Sequence, residues 1–272
     1  MKYIDVHCHL NDPAFEVDLA AEAAKIAAAD VAVICAGYDM ESSYRAAEIA
    51  EKYPFAWFTC GFQPQEVNGY REGDIERLRA LSKNKKCVAI GEIGLDYHYP
   101  DNPPKEFQKE ILKAQLILAD EEGLPVVLHS RDCAEDMLSF LRENAARLGH
   151  GGLLHCYSHS AELVKEFSAL GLYFSFGGTA TYTGSKKVVK SVAAVPLSRL
   201  LTETDSPYLA PQCKRGERNT PANIPLIVQR LAEIRGMGEA ELIFSVRQNA
   251  LRLFPRLSSG ASPLAGRSTS AG

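Results

Sequence analysis

Histidines and carboxylates recur in this chain at the ends of apolar runs, beginning with His7 and His9 in the segment Ile4-Asp5-Val6-His7-Cys8-His9. Side chains alternate across a strand, so this spacing predicts that His7 and His9 share one face with Asp5. Two neutral imidazoles that converge in this way suit one divalent metal ion. Because His-x-His pairs are common by chance, the meaning of this pair depends on the residues that accompany it.

Four further residues of ligand type occupy the ends of later apolar runs. They are Glu92, His129, His155 and Asp205. A single buried histidine is often a satisfied core residue and a single carboxylate is often a turn residue, but six such coincidences favour metal binding, because unpartnered buried polar groups are costly. Six ligands exceed what one tetrahedral ion with an open position needs, so we expect two ions with Glu92 able to bridge them. His98 and His159 fit this pattern less well and are expected to be exposed loop residues.

Two ions would allow hydrolytic chemistry. A metal pair clamps the attacking and leaving oxygens of a displacement and lowers the pKa of a bound water. Asp205 is placed to orient that water or to take its proton, so Glu92 and Asp205 are the predicted catalytic residues.

Eight strand-like runs alternate with amphipathic segments along the chain. The predicted strands are 3–10, 31–37, 55–62, 87–96, 125–130, 152–158, 172–178 and 200–206. The predicted helices are 16–29, 40–52, 73–83, 104–122, 132–147, 160–170, 184–194, 222–235 and 239–254. This alternation predicts an α/β fold, a single-domain (β/α)8 TIM barrel over residues 1–256. An open doubly wound sheet is the alternative, although it usually has fewer strands. Barrel chemistry occurs at the C-terminal ends of the strands, which is where the six residues fall.

The composition is that of an ordinary globular protein, with 46% hydrophobic and 24% charged residues and a formal charge of −4. That charge argues against a high-affinity nucleic-acid binding module, but less against an enzyme whose metals meet phosphates. Seven cysteines without a Cys-x-x-Cys pair, no leader and no apolar stretch of membrane length predict a cytoplasmic protein without a membrane or an obligate protein partner. The small, polar tail 257–272 is expected to be disordered.

The combination of motifs resembles a known family, the TatD family of metal-dependent deoxyribonucleases, over residues 3–254. The motifs are Asp5-Val6-His7-Cys8-His9-Leu10, Gly91-Glu92-Ile93-Gly94-Leu95-Asp96-Tyr97, Leu128-His129-Ser130-Arg131, His155-Cys156-Tyr157-Ser158, Glu203-Thr204-Asp205-Ser206-Pro207-Tyr208-Leu209 and Asn249-Ala250-Leu251-Arg252-Leu253-Phe254. The resemblance implies an amidohydrolase-like barrel that cuts DNA phosphodiesters with two divalent ions.

By position in those motifs, the resemblance places His7, His9 and Asp205 on one ion, with Glu92 bridging to a second. His129 and His155 complete the second ion's ligands. Zn²⁺, Mn²⁺ and Mg²⁺ all remain open, because a site of imidazoles and carboxylates accepts each of them.

Two motifs depart from the family pattern. Gly61-Phe62-Gln63-Pro64-Gln65 stands where the family commonly has Gly-x-His-Pro-His, and Thr220 replaces a glutamate in Arg218-Asn219-Thr220-Pro221. Glutamine can hydrogen-bond a phosphate or a base but cannot carry charge. Neither change touches a predicted metal ligand, so the changes bear on substrate and rate.

Substrate contacts are predicted in the loops that follow the strands. Arg131 comes directly after the His129 strand and is the leading candidate for a phosphate contact. Gln63, Tyr157 and Arg218 are further candidates, although the basic run 214–218 could equally be a solvated loop. Tyr97, Tyr99 and Tyr157 could stack on the bases of single-stranded DNA or could pack within the loops.

The sequence therefore predicts a divalent-metal-dependent hydrolase, and specifically a deoxyribonuclease. One alternative keeps the barrel and the metals but gives them a small amide, lactone or phosphoester as substrate. Another is a metal-binding protein without turnover, which the complete ligand set argues against.

Overall fold

The computed structural model describes residues 1–260. In this range eight β-strands alternate with nine α-helices and several short 3-10 helices. The strands are β1 (Tyr3–Cys8), β2 (Val31–Ala36), β3 (Ala56–Cys60), β4 (Cys87–Asp96), β5 (Val126–Arg131), β6 (Gly152–Leu154), β7 (Leu172–Phe176) and β8 (Leu200–Thr202). The helices are α1 (Leu19–Ala28), α2 (Met40–Lys52), α3 (Asp74–Ser82), α4 (Lys105–Glu121), α5 (Ala134–Glu143), α6 (Val164–Ala169), α7 (Lys186–Ala194), α8 (Ile224–Arg235) and α9 (Glu239–Leu253).

The strands form one parallel sheet in the order β1 to β8, which confirms the predicted (β/α)8 barrel. Hydrogen bonds between β1 and the segment that follows β8 draw the two edges together. The Asp205 N–H donates to the His7 carbonyl at 3.0 Å, and the His9 N–H donates to the Ser206 carbonyl at 2.7 Å. The contacts that close the barrel are therefore made by three residues of the predicted site, His7, His9 and Asp205, together with Ser206.

The hydrophobic core has two layers, one inside the barrel and one between the barrel and its helices. The inner layer is formed by alternate strand residues such as Ile4, Ile34 and Leu201, and it also contains Phe254 and Leu257 from the chain after α9. Because Leu257 is buried in the helical turn Pro255–Gly260, the packed chain continues past residue 256. The remainder of the tail predicted to be disordered lies outside the described residues.

Several predicted strands are longer than the observed ones. β6 ends at Leu154 and β8 ends at Thr202, so that His155 and Asp205 lie in the loops that follow. The next residue still bonds to the neighbouring strand in both cases, since the His155 N–H donates to the Leu128 carbonyl at 3.1 Å and the Glu203 N–H donates to the Phe176 carbonyl at 3.2 Å. Among the described residues no helix is long and apolar enough to cross a membrane.

Candidate metal centre

Four ligand atoms meet at the C-terminal end of the barrel, and we call them the first cluster. The His7 Nε2 atom lies 3.2 Å from His9 Nε2 and 3.4 Å from Glu92 Oε2. Asp205 Oδ1 lies 3.6 Å from His7 Nε2 and 3.3 Å from His9 Nε2. Metal–ligand bonds of about 2.0–2.1 Å in a tetrahedral site place the ligands roughly 3.3–3.4 Å apart. The first cluster therefore has the dimensions of a site for one divalent ion.

A second cluster shares Glu92 with the first. Glu92 Oε1 lies 2.8 Å from His129 Nδ1 and 3.1 Å from His155 Nε2, and these two nitrogens are 3.2 Å apart. The two oxygens of one carboxylate thus face two different sets of imidazole nitrogens. All six residues predicted from the sequence are brought together in this way.

The environment of Glu92 fits a bound cation. The residue is 2% exposed, and its Oε2 atom has no hydrogen-bond partner among the described residues. An ionised oxygen that is buried without a partner carries a large desolvation penalty. A divalent ion between the imidazoles and this oxygen would remove the penalty, and nitrogens with carboxylate oxygens are a donor set that divalent ions accept.

Burial and charge shift the histidine pKa values in opposite directions. Burial, together with the nearby His155, lowers the pKa of His7 to about 4. Burial also opposes protonation of His9 and His129, but Asp205 raises the pKa of His9 to about 8, and Asp96 with Glu92 raises that of His129 to about 9. An ion that took the His9 and His129 nitrogens as ligands at neutral pH would displace their protons.

Irregular strand pairing places two of the candidate ligands, His7 and His9. Asp5 pairs with Val33 and Cys8 pairs with Cys35, so β1 holds one extra residue between those pairs. Val6 joins the inner core layer and Cys8 joins the outer one, which leaves His7 and His9 directed at the site. The prediction that Asp5 shares their face is wrong, because the bulge reverses the alternation between Asp5 and His7.

β4 contains a similar irregularity beside β5. Ile90 pairs with Val126 and Ile93 pairs with Leu128, so one extra residue again occurs, next to Glu92. Gly94 has a φ of +152°, and a Cβ atom there would lie 2.0 Å from the His129 carbonyl oxygen. The glycine therefore allows β4 to approach β5 closely enough for Glu92 to meet His129.

Two carboxylates that the sequence interpretation did not single out support the ligands. Asp96 is fully buried, and its Oδ2 atom lies 2.9 Å from His129 Nε2. Glu203 accepts the Cys156 N–H at 2.6 Å and so holds the turn that follows His155. The period of two along β4 relates Asp96 to Glu92, and this is the signal by which Asp96 could have been found.

A cavity of about 240 Å³ opens above the clusters and is lined by His129, Arg131, His155 and Asp205 among others. Arg131 lies at its mouth, with its guanidinium carbon 5.2 Å from the centre of the Tyr99 ring. Tyr99 is 45% exposed, so one side of this pair is open to a ligand. The position of Arg131 is compatible with the predicted phosphate contact.

The other predicted substrate residues are placed differently. Tyr157 is buried against Phe167, Phe174 and Phe176, and its hydroxyl donates to the Ser160 carbonyl, so its ring has no exposed face for a base. Arg218 pairs with both carboxylate oxygens of Asp18. Gln63 is half-buried in the loop after β3, and its substrate contact stays a prediction, as does that of Arg218.

An eight-stranded barrel with buried imidazoles and carboxylates at the C-terminal ends of its strands defines the class of metal-dependent hydrolases. The comparison with known families then shows which family of this class the chain belongs to. The model of the family described as TatD related DNase matches residues 4–255, and the chain belongs to this family of metal-dependent hydrolases.

Individual relatives align with nearly the whole chain. The uncharacterized metal-dependent hydrolase YabD of Bacillus subtilis is 38% identical over 92% of this chain and 98% of that protein. The 3′-5′ ssDNA/RNA exonuclease TatD of Cronobacter sakazakii is 33% identical over 94% of this chain and 99% of that protein. The crystal structure of YJJV, a TatD homolog from Escherichia coli K12, is 32% identical and matches with a TM-score of 0.88 over 93% of this chain and 98% of that one.

Proposed function

We propose that this protein is a deoxyribonuclease that hydrolyses DNA phosphodiester bonds with two divalent ions. The observation that carries the proposal is the position of Glu92, whose two oxygens face two separate ligand clusters. The proposed ligands are His7, His9, Glu92 and Asp205 for the first ion and Glu92, His129 and His155 for the second. The names of nuclease relatives support DNA as the substrate.

Each residue has a defined part in this proposal. When bound, the ions lower the pKa of a water and neutralise charge on the phosphoryl oxygens. Asp205 borders the cavity with a side chain 15% exposed, and it orients the attacking water and accepts its proton. Glu92 fixes the spacing of the two clusters, and Arg131 donates to a phosphate oxygen at the cavity mouth.

The exposed aromatic rings beside the site favour single-stranded DNA as the substrate. Tyr99 and Tyr208 are 45% and 53% exposed, and they follow β4 and β8 at the C-terminal end of the barrel. Base stacking on exposed aromatic rings is tolerant of sequence, which suits a nuclease without base readout. Arg131 beside Tyr99 would hold the backbone while the ring holds a base.

A cytoplasmic location is part of the proposal. All seven cysteines are free thiols and five of them are buried, a pattern compatible with a reducing compartment.

The test is cleavage of 5′-labelled single-stranded DNA by the purified protein with Mg²⁺ or Mn²⁺. Glu92→Gln and Asp205→Asn should each reduce the rate at least about 100-fold, because each removes a ligand charge and Asp205 also serves as the base. Glu241→Gln, a matched change on the exposed surface of α9, should leave the rate unchanged.

Cleavage that persists in both site variants would trace the activity to a contaminant and would contradict the proposal. No cleavage with either ion, together with turnover in a panel of small esters and amides, would replace DNA by a small substrate.

A further inference from the structure

We infer that Asp96 and Gln65 form an outer layer that holds the His129 imidazole toward the second ion, which makes Gln65 a positioning residue. The inference rests on the two-ion site of the proposed function. It assigns a role to one of the two glutamines that occupy the loop after β3.

The Asp96 carboxylate is at the centre of this outer layer. It is fully buried at the end of β4, and its Oδ2 atom accepts from His129 Nε2 at 2.9 Å. Its Oδ1 atom accepts the His98 N–H at 2.8 Å and the Asn102 side-chain amide at 3.0 Å. The carboxylate is therefore held in place by several donors and presents one oxygen to His129.

The contact with Asp96 determines which ring nitrogen of His129 is available to bind an ion. His129 Nδ1 faces Glu92, so an ion at the second cluster needs the lone pair of that nitrogen. A neutral imidazole that offers Nδ1 carries its proton on Nε2, where Asp96 accepts it. A carboxylate in this position sets the tautomer and the ring orientation of a metal-binding histidine.

Gln65 extends the network to the neighbouring loop. Its Nε2 atom donates to the same Asp96 Oδ2 atom at 3.3 Å. Gln65 is half-buried in the loop between β3 and α3, whereas Asp96 and His129 lie on β4 and β5. The Gln65 amide thus supports the oxygen that holds His129 from a third element of the barrel, and an amide keeps its N–H donors at every accessible pH.

The sequence interpretation held that the glutamines leave the metal ligands untouched. The structure places Gln65 two hydrogen bonds from the second cluster, through Asp96 and then His129. Gln65 should therefore influence the affinity for the second ion without binding it.

The test is a titration of the metal-free protein with Mn²⁺, in which the free ion is measured by electron paramagnetic resonance. Wild-type protein should bind two ions. Asp96→Asn should weaken binding of the second ion about 10- to 100-fold, and Gln65→Ala should weaken it by about 3- to 10-fold, while the affinity for the first ion is unchanged. Gln65→His, which restores an N–H donor, should recover most of the loss, and Gln63→Ala should leave both affinities unchanged.

Thermal unfolding of each variant shows whether it is folded, and the half-buried position of Gln65 makes Gln65→Ala the safer variant. Unchanged affinity for the second ion in either Gln65→Ala or Asp96→Asn, or equal weakening of both ions, would overturn the inference. A wild-type protein that binds only one ion would overturn it together with the second site. Two ions bound without cleavage of DNA would refute only the proposed substrate, because the titration does not depend on turnover.

Discussion

Histidines that look alike in the sequence have different roles at the scale of the single residue. The sequence predicts that His159 is an exposed loop residue, and this prediction is wrong. It is 6% exposed, its Nε2 atom lies 2.7 Å from Ser130 Oγ, and its ring stacks on Phe167. Burial, with a further contribution from Lys187, lowers the pKa of His159 to about 4.

His159 should make the folded state less stable in acid. The unfolded chain takes up a proton near pH 6.5, whereas the folded protein resists protonation until about pH 4. Stability is therefore fully present above pH 6.5 and is lost as the pH falls through that window, by roughly 3 kcal/mol in total. Urea unfolding of wild type and His159→Gln from pH 4 to 8, with a metal chelator present, should show a loss that is larger in wild type by roughly this amount, because His7 titrates in both proteins. Parallel curves would contradict the assignment.

At the scale of the strand, the position of Glu92 depends on how closely the β4 backbone approaches β5. Glu92 reaches both clusters because β4 carries an extra residue beside β5 and because Gly94 leaves room for the β5 backbone. A strand with regular pairing would direct the Glu92 carboxylate to the other side of the sheet.

Gly94→Ala should therefore destabilise the protein by at least about 3 kcal/mol and disturb metal binding, since its Cβ would collide with the His129 carbonyl and its φ of +152° disfavours any side chain. Gly69→Ala is the matched control, because a Cβ at Gly69 meets no atom within 4 Å. Differential scanning calorimetry and zinc titration of the two variants provide the comparison. Equal stability of the two variants would show that β4 can retreat from β5 at low cost.

The whole molecule depends on the seam between its first and last strands. Asp5 is fully buried, and it accepts hydrogen bonds from the Thr204 hydroxyl and from the Thr204 N–H, the latter at 3.0 Å. The Thr202 hydroxyl donates to the Ile4 carbonyl at 2.8 Å in the same seam. His7 and Asp205 lie on the two sides of this seam, so the first cluster exists only when the barrel is closed.

Thr204→Val keeps the shape of the side chain and removes one donor to a buried carboxylate, which should cost about 1–3 kcal/mol of the free energy of unfolding. Thr183→Val, on an exposed loop, should change stability by no more than about 0.5 kcal/mol. Urea unfolding curves of the two variants measure the difference. A neutral Thr204→Val would mean that other contacts close the barrel.

The opposite end of the barrel is built for stability. Lys86 Nζ and Arg235 Nη1 each donate to three backbone carbonyls near the N-terminal ends of the strands. Phe254 and Leu257 close the barrel interior at that end. The polar groups of the site thus lie at the opposite end of the barrel from these capping contacts.

The sequence alone predicted the barrel and the six clustered residues, because eight apolar runs mark the strands and the ligand types stand at their ends. The tertiary structure decided which face each residue presents. The extra residues in β1 and β4 depend on pairing with a neighbouring strand, and a period-two pattern within one strand contains no information about that register. For the same reason the contact between Asp96 and His129, as opposed to the place of Asp96 on β4, became visible only when distant segments were packed together. The burial of Tyr157 became visible in the same way.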